Sequence, residues 1–355
     1  MGPAYDSGPP DVSFVVPVFN QARIIRRNLS SLILNAHSTF ELILIDDNSS
    51  DGSFEQIMGF IRSPELKRCP LWTKVVVIRF RRQRFETMSD HVGIKRSSAK
   101  YIIEIQADME ILEDAFDNKL ILALTSDPKL FVVSGRGVMN FADVASSYAR
   151  LKGSEASIGK SFVKALFRLL YQSLLPASIN ASTHSSAITS DVRNVSLCDE
   201  ITRFNLTGEA GRLGPAIEYL PSTEQTESNL VFIGETVMRG PIIFERIRYL
   251  QLGGFNLKAF YLGFDEHDLI LRAATEKFWK AGYICIGFSA PMRDGSIRQE
   301  RSLGTKIRIA TESRRIRRKM HLSALARFST IYRGSNWQRE ILRLETNPKD
   351  VKTYE

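Results

Sequence analysis

Four apolar runs dominate the first third of the chain: VSFVVPVF from residue 12, ELILID from 41, VVVIRF from 75 and YIIEIQAD from 101. They hardly alternate with polar residues, which is the pattern of strands buried on both faces. Stretches with helical spacing lie between them. Residues 22–35 carry Ile24, Ile25, Leu29, Leu32 and Ile33, and residues 53–62 and 87–99 also read as helices. Strand alternating with helix predicts a mostly parallel central sheet with helices on both faces, an α/β fold. Such sheets bind ligands beyond the carboxyl ends of their strands. Asn20, a candidate helix N-cap, and Asp46, Asp47 and Asp108 all fall at such ends.

The remainder is less regular. Residues 115–133 predict a helix and a strand. Residues 143–176 predict one or two basic amphipathic helices, and 179–230, rich in Ser, Thr and Asn, predict long loops. FERIRYLQLGGFN predicts a helix ended by Gly253 and Gly254, and GFDEHDLILRAATEKF an acidic turn opening into a helix. The expected organisation is a frayed tail over 1–10 and one domain over 11–300, followed by a basic helical extension over 301–355. Within the domain the expected parts are 11–135, a variable loop and helix region over 136–235, and 236–300. At 355 residues and 43% hydrophobic the chain can bury a core. A net charge of +9 favours anionic partners, and residues 301–320 hold eight Lys or Arg against Glu312 alone. Such runs are usually solvated faces; the sharper use is peripheral contact with an anionic membrane. No aromatic-interleaved basic sheet, zinc finger or helix-turn-helix pattern points to nucleic acid. Cys69, Cys198 and Cys285 are too scattered for a disulfide framework, which suggests a reducing compartment. With no signal-like start and no apolar run of spanning length, the expectation is a cytoplasmic protein without a transmembrane segment.

Three acidic groups carry chemistry. Asp46 and Asp47 repel one another and need a partner such as a ribose diol, a base N–H or a metal; DDNSSDGS is also good turn chemistry by itself. Asp108, with Glu110 two residues on, stands where a carboxylate holds Mg2+ or Mn2+ against a diphosphate, or caps the next turn. Asp265, Glu266 and Asp268 open a helix, where a carboxylate serves as a general base or as an N-cap. His267 has no second ligand at metal spacing.

The order of PVFNQARIIRRNLSSLI, FELILIDDNSSDGS, HVGIKRSSAKYIIEIQADMEI, RGPIIFERIRYLQLGGFN and GFDEHDLILRA resembles a family 2 glycosyltransferase of the GT-A fold, with a Rossmann-like nucleotide-binding half, over roughly residues 11–290. The resemblance implies that Pro17, Phe19 and Asn20 line the base pocket, with Phe19 where the family usually has Tyr. It implies that Asp47, beside Asp46, binds the donor base, often uracil. Gly93 matches the glycine before the helix that leads to the metal-binding strand, and Gly240 a turn beneath the donor sugar. Gln106 replaces the first carboxylate of a DXD motif whose last, Asp108, is kept, with Glu110 as a helper. Glu266 falls at the catalytic base, with Asp265 as runner-up. Arg293 or Arg298 stands where relatives place a group near the diphosphate.

The activity so implied is inverting transfer from a nucleoside-diphosphate sugar, with a lean to UDP, onto a hydroxyl of a glycan, lipid-linked or protein acceptor, using Mn2+ or Mg2+. A non-catalytic binding module on the same fold is the alternative from another class. A nucleotidyltransferase would want a Gly-rich basic loop after the first strand, which PVFNQAR is not. The basic helix over 143–176 suits a homodimer as well as a membrane surface.

Overall fold

The computed structural model describes residues 9–139, 230–237, 239–289, 307–309, 311–316, 318–320, 322–323 and 341–343. The predicted helices at 143–176, the loops at 179–230, and Arg293 and Arg298 lie outside them.

In chain order the first elements are β1 (Val12–Val18), α1 (Ile25–Asn35), β2 (Phe40–Asp46), α2 (Ser53–Ile61), α3 (Pro64–Arg68), β3 (Trp72–Arg79), α4 (Glu86–Arg96), β4 (Tyr101–Glu104), β5 (Glu110–Ile111), α5 (Phe116–Thr125) and β6 (Leu130–Ser134). There follow β7 (Val138–Met139), β8 (Leu230–Gly234), β9 (Thr236–Val237), β10 (Ile242–Glu245), α6 (Arg246–Gln251), α7 (Asp265–Lys277), β11 (Lys280–Tyr283), β12 (Phe288–Ser289) and β13 (Ile341–Arg343). Nine strands form one sheet in the order β13-β8-β11-β6-β10-β4-β1-β2-β3. β1 pairs in parallel with β2 and β4, and β2 with β3. β10 runs antiparallel between β4 and β6. Every residue of β1 and β2 is buried, as their unbroken apolar runs require.

The crevice follows from this order. The chain proceeds from β1 to β2 and β3 on one side and returns to place β4 on the other, so the order reverses between β1 and β4. β1 and β4 stay paired only as far as Val15 and Glu104, whereas β1 and β2 remain paired to Val18 and Asp46. Beyond Ile105, whose N–H still reaches Val15 O at 3.0 Å, the chain leaves β1 short of Pro17, Phe19 and Asn20. Pro17 lacks an N–H to give a ladder, and it lies past the point where the β4 ladder ends.

Several expectations change. The fourth strand stops at Glu104, so Asp108 lies on a turn four residues later. Asn20 does not cap α1, whose N-cap is Ile24; Asn20 takes a left-handed backbone with φ +51°. FERIRYLQ splits into the end of β10 and the short α6. Cys69 is free and Cys285 is disulfide-bonded. Among the described residues no helix is long and apolar enough to cross a membrane. In the basic stretch, Ile316 and Met320 are buried while Arg314, Arg315 and Arg318 are exposed, and Lys319 lies over the Phe260 ring. This part of the run is therefore docked on the domain.

Candidate active site

The loops after β1 and β2 are laced together. Asn20 N donates to Ser49 Oγ at 2.9 Å and Asn20 Oδ1 accepts from Ser50 N at 2.9 Å. Gln21 N donates to Ser53 Oγ and Ala22 N to Asp51 Oδ2. Much of DDNSSDGS is thus spent on shaping the crevice wall. Asp46 belongs to that wall: it is fully buried, 3.1 Å from Arg79 Nε, and accepts from Ser49 N. Phe19 stands half-buried at the mouth.

Asp47 has another task. Its two oxygens accept from the backbone N–H groups of Arg84, at 2.6 Å, and Phe85, at 2.8 Å, and so pin the loop between β3 and α4. Burial pushes its pKa up to about 6 against the lowering effect of those two bonds. A carboxylate has about four lone-pair sites, so Asp47 keeps acceptor capacity for a donor base. The pinned loop reaches the opposite wall, where Phe85 meets the Tyr261 ring at 6.0 Å and Thr87 Oγ1 donates to Phe260 O.

Behind this loop lies a cage absent from the sequence-based expectations. The Arg239 guanidinium contacts Glu86 at 3.1 Å, Asp90 at 2.9 Å, Glu104 at 3.1 Å and Asp265 at 3.1 Å. These carboxylates come from α4, β4 and α7. Four anions around one cation in a buried site cannot all stay ionised cheaply. Burial pushes Glu104 up to about 7 and Asp265 up to about 8, with Arg239 opposing both. Asp90 is driven well above the carboxylate range by burial and then by Glu104. One signal was visible in the sequence: Glu104 interrupts the apolar run YIIEI, and a buried charge needs a partner.

Helix α7 sets the acidic triplet. Asp268 pairs with Arg272 at 2.9 Å, and Arg272 Nη2 donates to Gly254 O at 2.7 Å, fixing the helix to the Gly253–Gly254 turn. His267 shares a hydrogen bond of 2.8 Å between Nδ1 and Thr236 Oγ1, and burial pushes its pKa down to about 4, so it is neutral and structural. Asp265 is wholly buried against Arg239. Glu266 keeps 15% side-chain exposure, 3.8 Å from His267. Its Oε2 is buried with no hydrogen-bond partner, except as Asp265 carries a proton to share with it.

The turn after β4 is held from below. Asn28 of α1 donates to Gln106 O and Met109 O, and Ser31 Oγ accepts from Ile111 N. The side chains here fit a divalent cation only sparsely. Gln106 gives its amide to Glu86 at 2.8 Å, and Glu110 is ion-paired with Arg27 at 3.0 Å, which commits it elsewhere than to a metal. Among the described residues no group of three or more His, Cys, Asp or Glu could hold an ion by itself. Asp108 is the remaining carboxylate of the turn. Mg2+ and Mn2+ sites often use one or two carboxylates with substrate phosphates. The donor set therefore fits a cation arriving with a diphosphate and does not fit a preformed protein cage.

The two candidate glycines serve packing. A Cβ on Gly93 would stand 2.6 Å from Val15 Cγ1 and 2.7 Å from Ile45 Cδ1, so Gly93 lets α4 lie close on β1 and β2. A Cβ on Gly240 would stand 2.6 Å from Arg136 Cβ, and Arg136 Nη1 donates to Arg239 O next door at 2.9 Å.

A mostly parallel sheet that opens at the β1/β4 reversal, with a carboxylate-bearing helix brought against the end of β4, has the architecture of a GT-A glycosyltransferase. Residues 13–177 match the family model described as glycosyl transferase family 2, and over that part the chain is similar to glycosyltransferases. The poly-beta-1,6-N-acetyl-D-glucosamine synthase of Staphylococcus epidermidis is 26% identical over 175 residues, 46% of this chain and 40% of that protein. An uncharacterized glycosyltransferase of Haemophilus influenzae is 25% identical over 142 residues, 40% of this chain and 52% of that protein. The chain thus spans about half or less of the length of these relatives. Among solved structures, GalNAc-T7 with UDP, GalNAc and Mn2+ superposes with a TM-score of 0.48 at 14% identity, covering 86% of this chain and 48% of that one. The mannosyltransferase PcManGT of Pyrobaculum calidifontis, in complex with GDP-Man and Mn2+, gives 0.44 at 13% identity, covering 94% and 77%.

Proposed function

We propose that this chain is a glycosyltransferase that moves a sugar from a nucleoside-diphosphate sugar to an acceptor hydroxyl with inversion, and that Glu266 is the general base. The nucleobase lies in the gap past β1, between Phe19 and the Asp47-pinned loop, and the diphosphate lies over the Gln106–Asp108 turn. Asp108 would hold the divalent ion, which supplies charge to stabilise the departing diphosphate. The acceptor oxygen bonds to the anomeric carbon as the bond from that carbon to the diphosphate oxygen breaks. Glu266 takes the acceptor proton, and the nucleoside diphosphate leaves as an anion.

The observation that carries this reading is the division of labour at the start of α7. Asp265 is buried and bound to Arg239. Glu266 beside it retains 15% side-chain exposure, and its Oε2 has no partner but the proton that Asp265 can share with it. The test is release of nucleoside diphosphate from UDP-, GDP- and CDP-sugars by the wild-type protein and by Glu266→Gln. The expected result is turnover of one donor class, lowered by about 100-fold or more in the variant with donor binding kept. Equal turnover by the variant would refute the base assignment.

A further inference from the structure

Glu86 faces both Gln106 and Arg239. Its Oε1 accepts from Gln106 Nε2 at 2.8 Å, and its Oε2 lies 3.1 Å from Arg239 Nη1. Arg239 Nη2 reaches Asp265 at 3.1 Å, one residue before Glu266. An unbroken polar chain thus runs from the turn under the donor to the helix that carries the base. The Arg239 backbone is fixed in turn, because its carbonyl accepts from Arg136 and the Gly240–Arg136 approach leaves no room for a side chain.

We propose that Arg239 is the positioning residue that holds Glu266 in register with the donor floor, and that Gln106 belongs to this arrangement as its neutral donor. The amide turns its N–H to Glu86. A carboxylate at 106 would add a fifth acidic group to four that already share one guanidinium. Position 106 is therefore a link in the cage. The positioning role rests on Glu266 being the base; the role of Gln106 does not.

Two experiments keep these parts separate. In the first, Gln106→Glu, Glu86→Gln and the double variant are melted in the absence of nucleotide. Gln106→Glu is nearly isosteric, so its effect reports charge. We expect its Tm to fall by about 4 °C or more. The double variant restores an amide–carboxylate pair and should recover most of that loss, a coupling that separate sites would not show. An unchanged Tm in Gln106→Glu, or a double variant no better than the single, overturns the role of Gln106. In the second, Arg239→Lys and Arg239→Met are compared for stabilisation by UDP or GDP and for nucleotide release from the matching sugar donor. The expected result for both is retained nucleotide stabilisation and donor KM, with kcat at least about tenfold lower in Met than in Lys. Equal kcat in Met, Lys and wild type, or loss of nucleotide stabilisation in step with kcat, overturns the positioning role. If the wild-type protein responds to no nucleotide, the proposed function fails while the first experiment still decides on Gln106.

Discussion

Glu266 and Asp265 are neighbours in sequence with opposite surroundings, and their variants should separate. Glu266→Gln should lower transfer and leave stability within about 0.5 kcal/mol of wild type, since the side chain keeps its shape and its amide oxygen still accepts from Asp265. Asp265→Asn removes an acidic group that Arg239 holds in a buried site, and the expectation is a change in Tm as well as in rate. Thermal melts beside donor-turnover assays check both; a Glu266→Gln protein as destabilised as a cage variant would argue for a structural glutamate. At this scale the sequence was a partial guide. The acidic triplet, the Asp46–Asp47 pair and Asp108 stood out because carboxylates after apolar runs are conspicuous. Arg239 did not, because its partners at 86, 90, 104 and 265 lie up to 179 residues from one another and up to 153 from it in the chain, and no local pattern joins them. The ion pair of Glu110 with Arg27 was hidden as well, because Arg27 sits on another element.

Helix α4 lies on β1 and β2 through Gly93, and this contact sets the distance between the sheet and the cage residues Glu86 and Asp90. Gly93→Ala should overpack it. Val15 is stiff at χ1, so α4 must shift, at a cost of about 1–3 kcal/mol. A lower denaturation midpoint with an unchanged slope checks this, and a variant as stable as wild type would show that the seam is loose. The elements themselves were largely legible. β1 to β3 and helices α1, α2, α4 and α5 were readable because strands buried on both faces cannot alternate and helices between them must. The end of β4 was not, since Ile105 and Ala107 continue the apolar run while the chain turns away from β1. The boundary at β10 was hidden for a similar reason: FERIRYLQ has helical spacing, and the pairing of its first residues with β4 and β6 is a tertiary choice.

For the molecule as a whole, the cage makes stability depend on pH. Glu104 and Asp265 have folded pKa values near 7 and 8, above their ordinary values of 4.5 and 3.8. Above about pH 7 the unfolded chain has already released these protons while the folded chain is still losing its share of them, a loss nearly complete by about pH 9, so over this interval the folded state binds more protons and stability falls as pH rises. His91 and His267, pushed below the ordinary histidine value by burial, are predominantly neutral in both states over this range. Tm should therefore drop between pH 7 and 9, and the drop should shrink in Asp265→Asn; a Tm that climbs over that interval contradicts the protonated cage. The most direct test of the donor site is calorimetric titration with UDP, GDP and CDP, each with Mn2+, Mg2+ or a chelator, on wild type and Asp108→Ala. The account predicts that one nucleotide binds with metal, binds at least about tenfold more weakly under chelation, and loses its metal dependence in Asp108→Ala. Metal-dependent binding of equal strength in Asp108→Ala would place the diphosphate away from the turn after β4 and contradict the account.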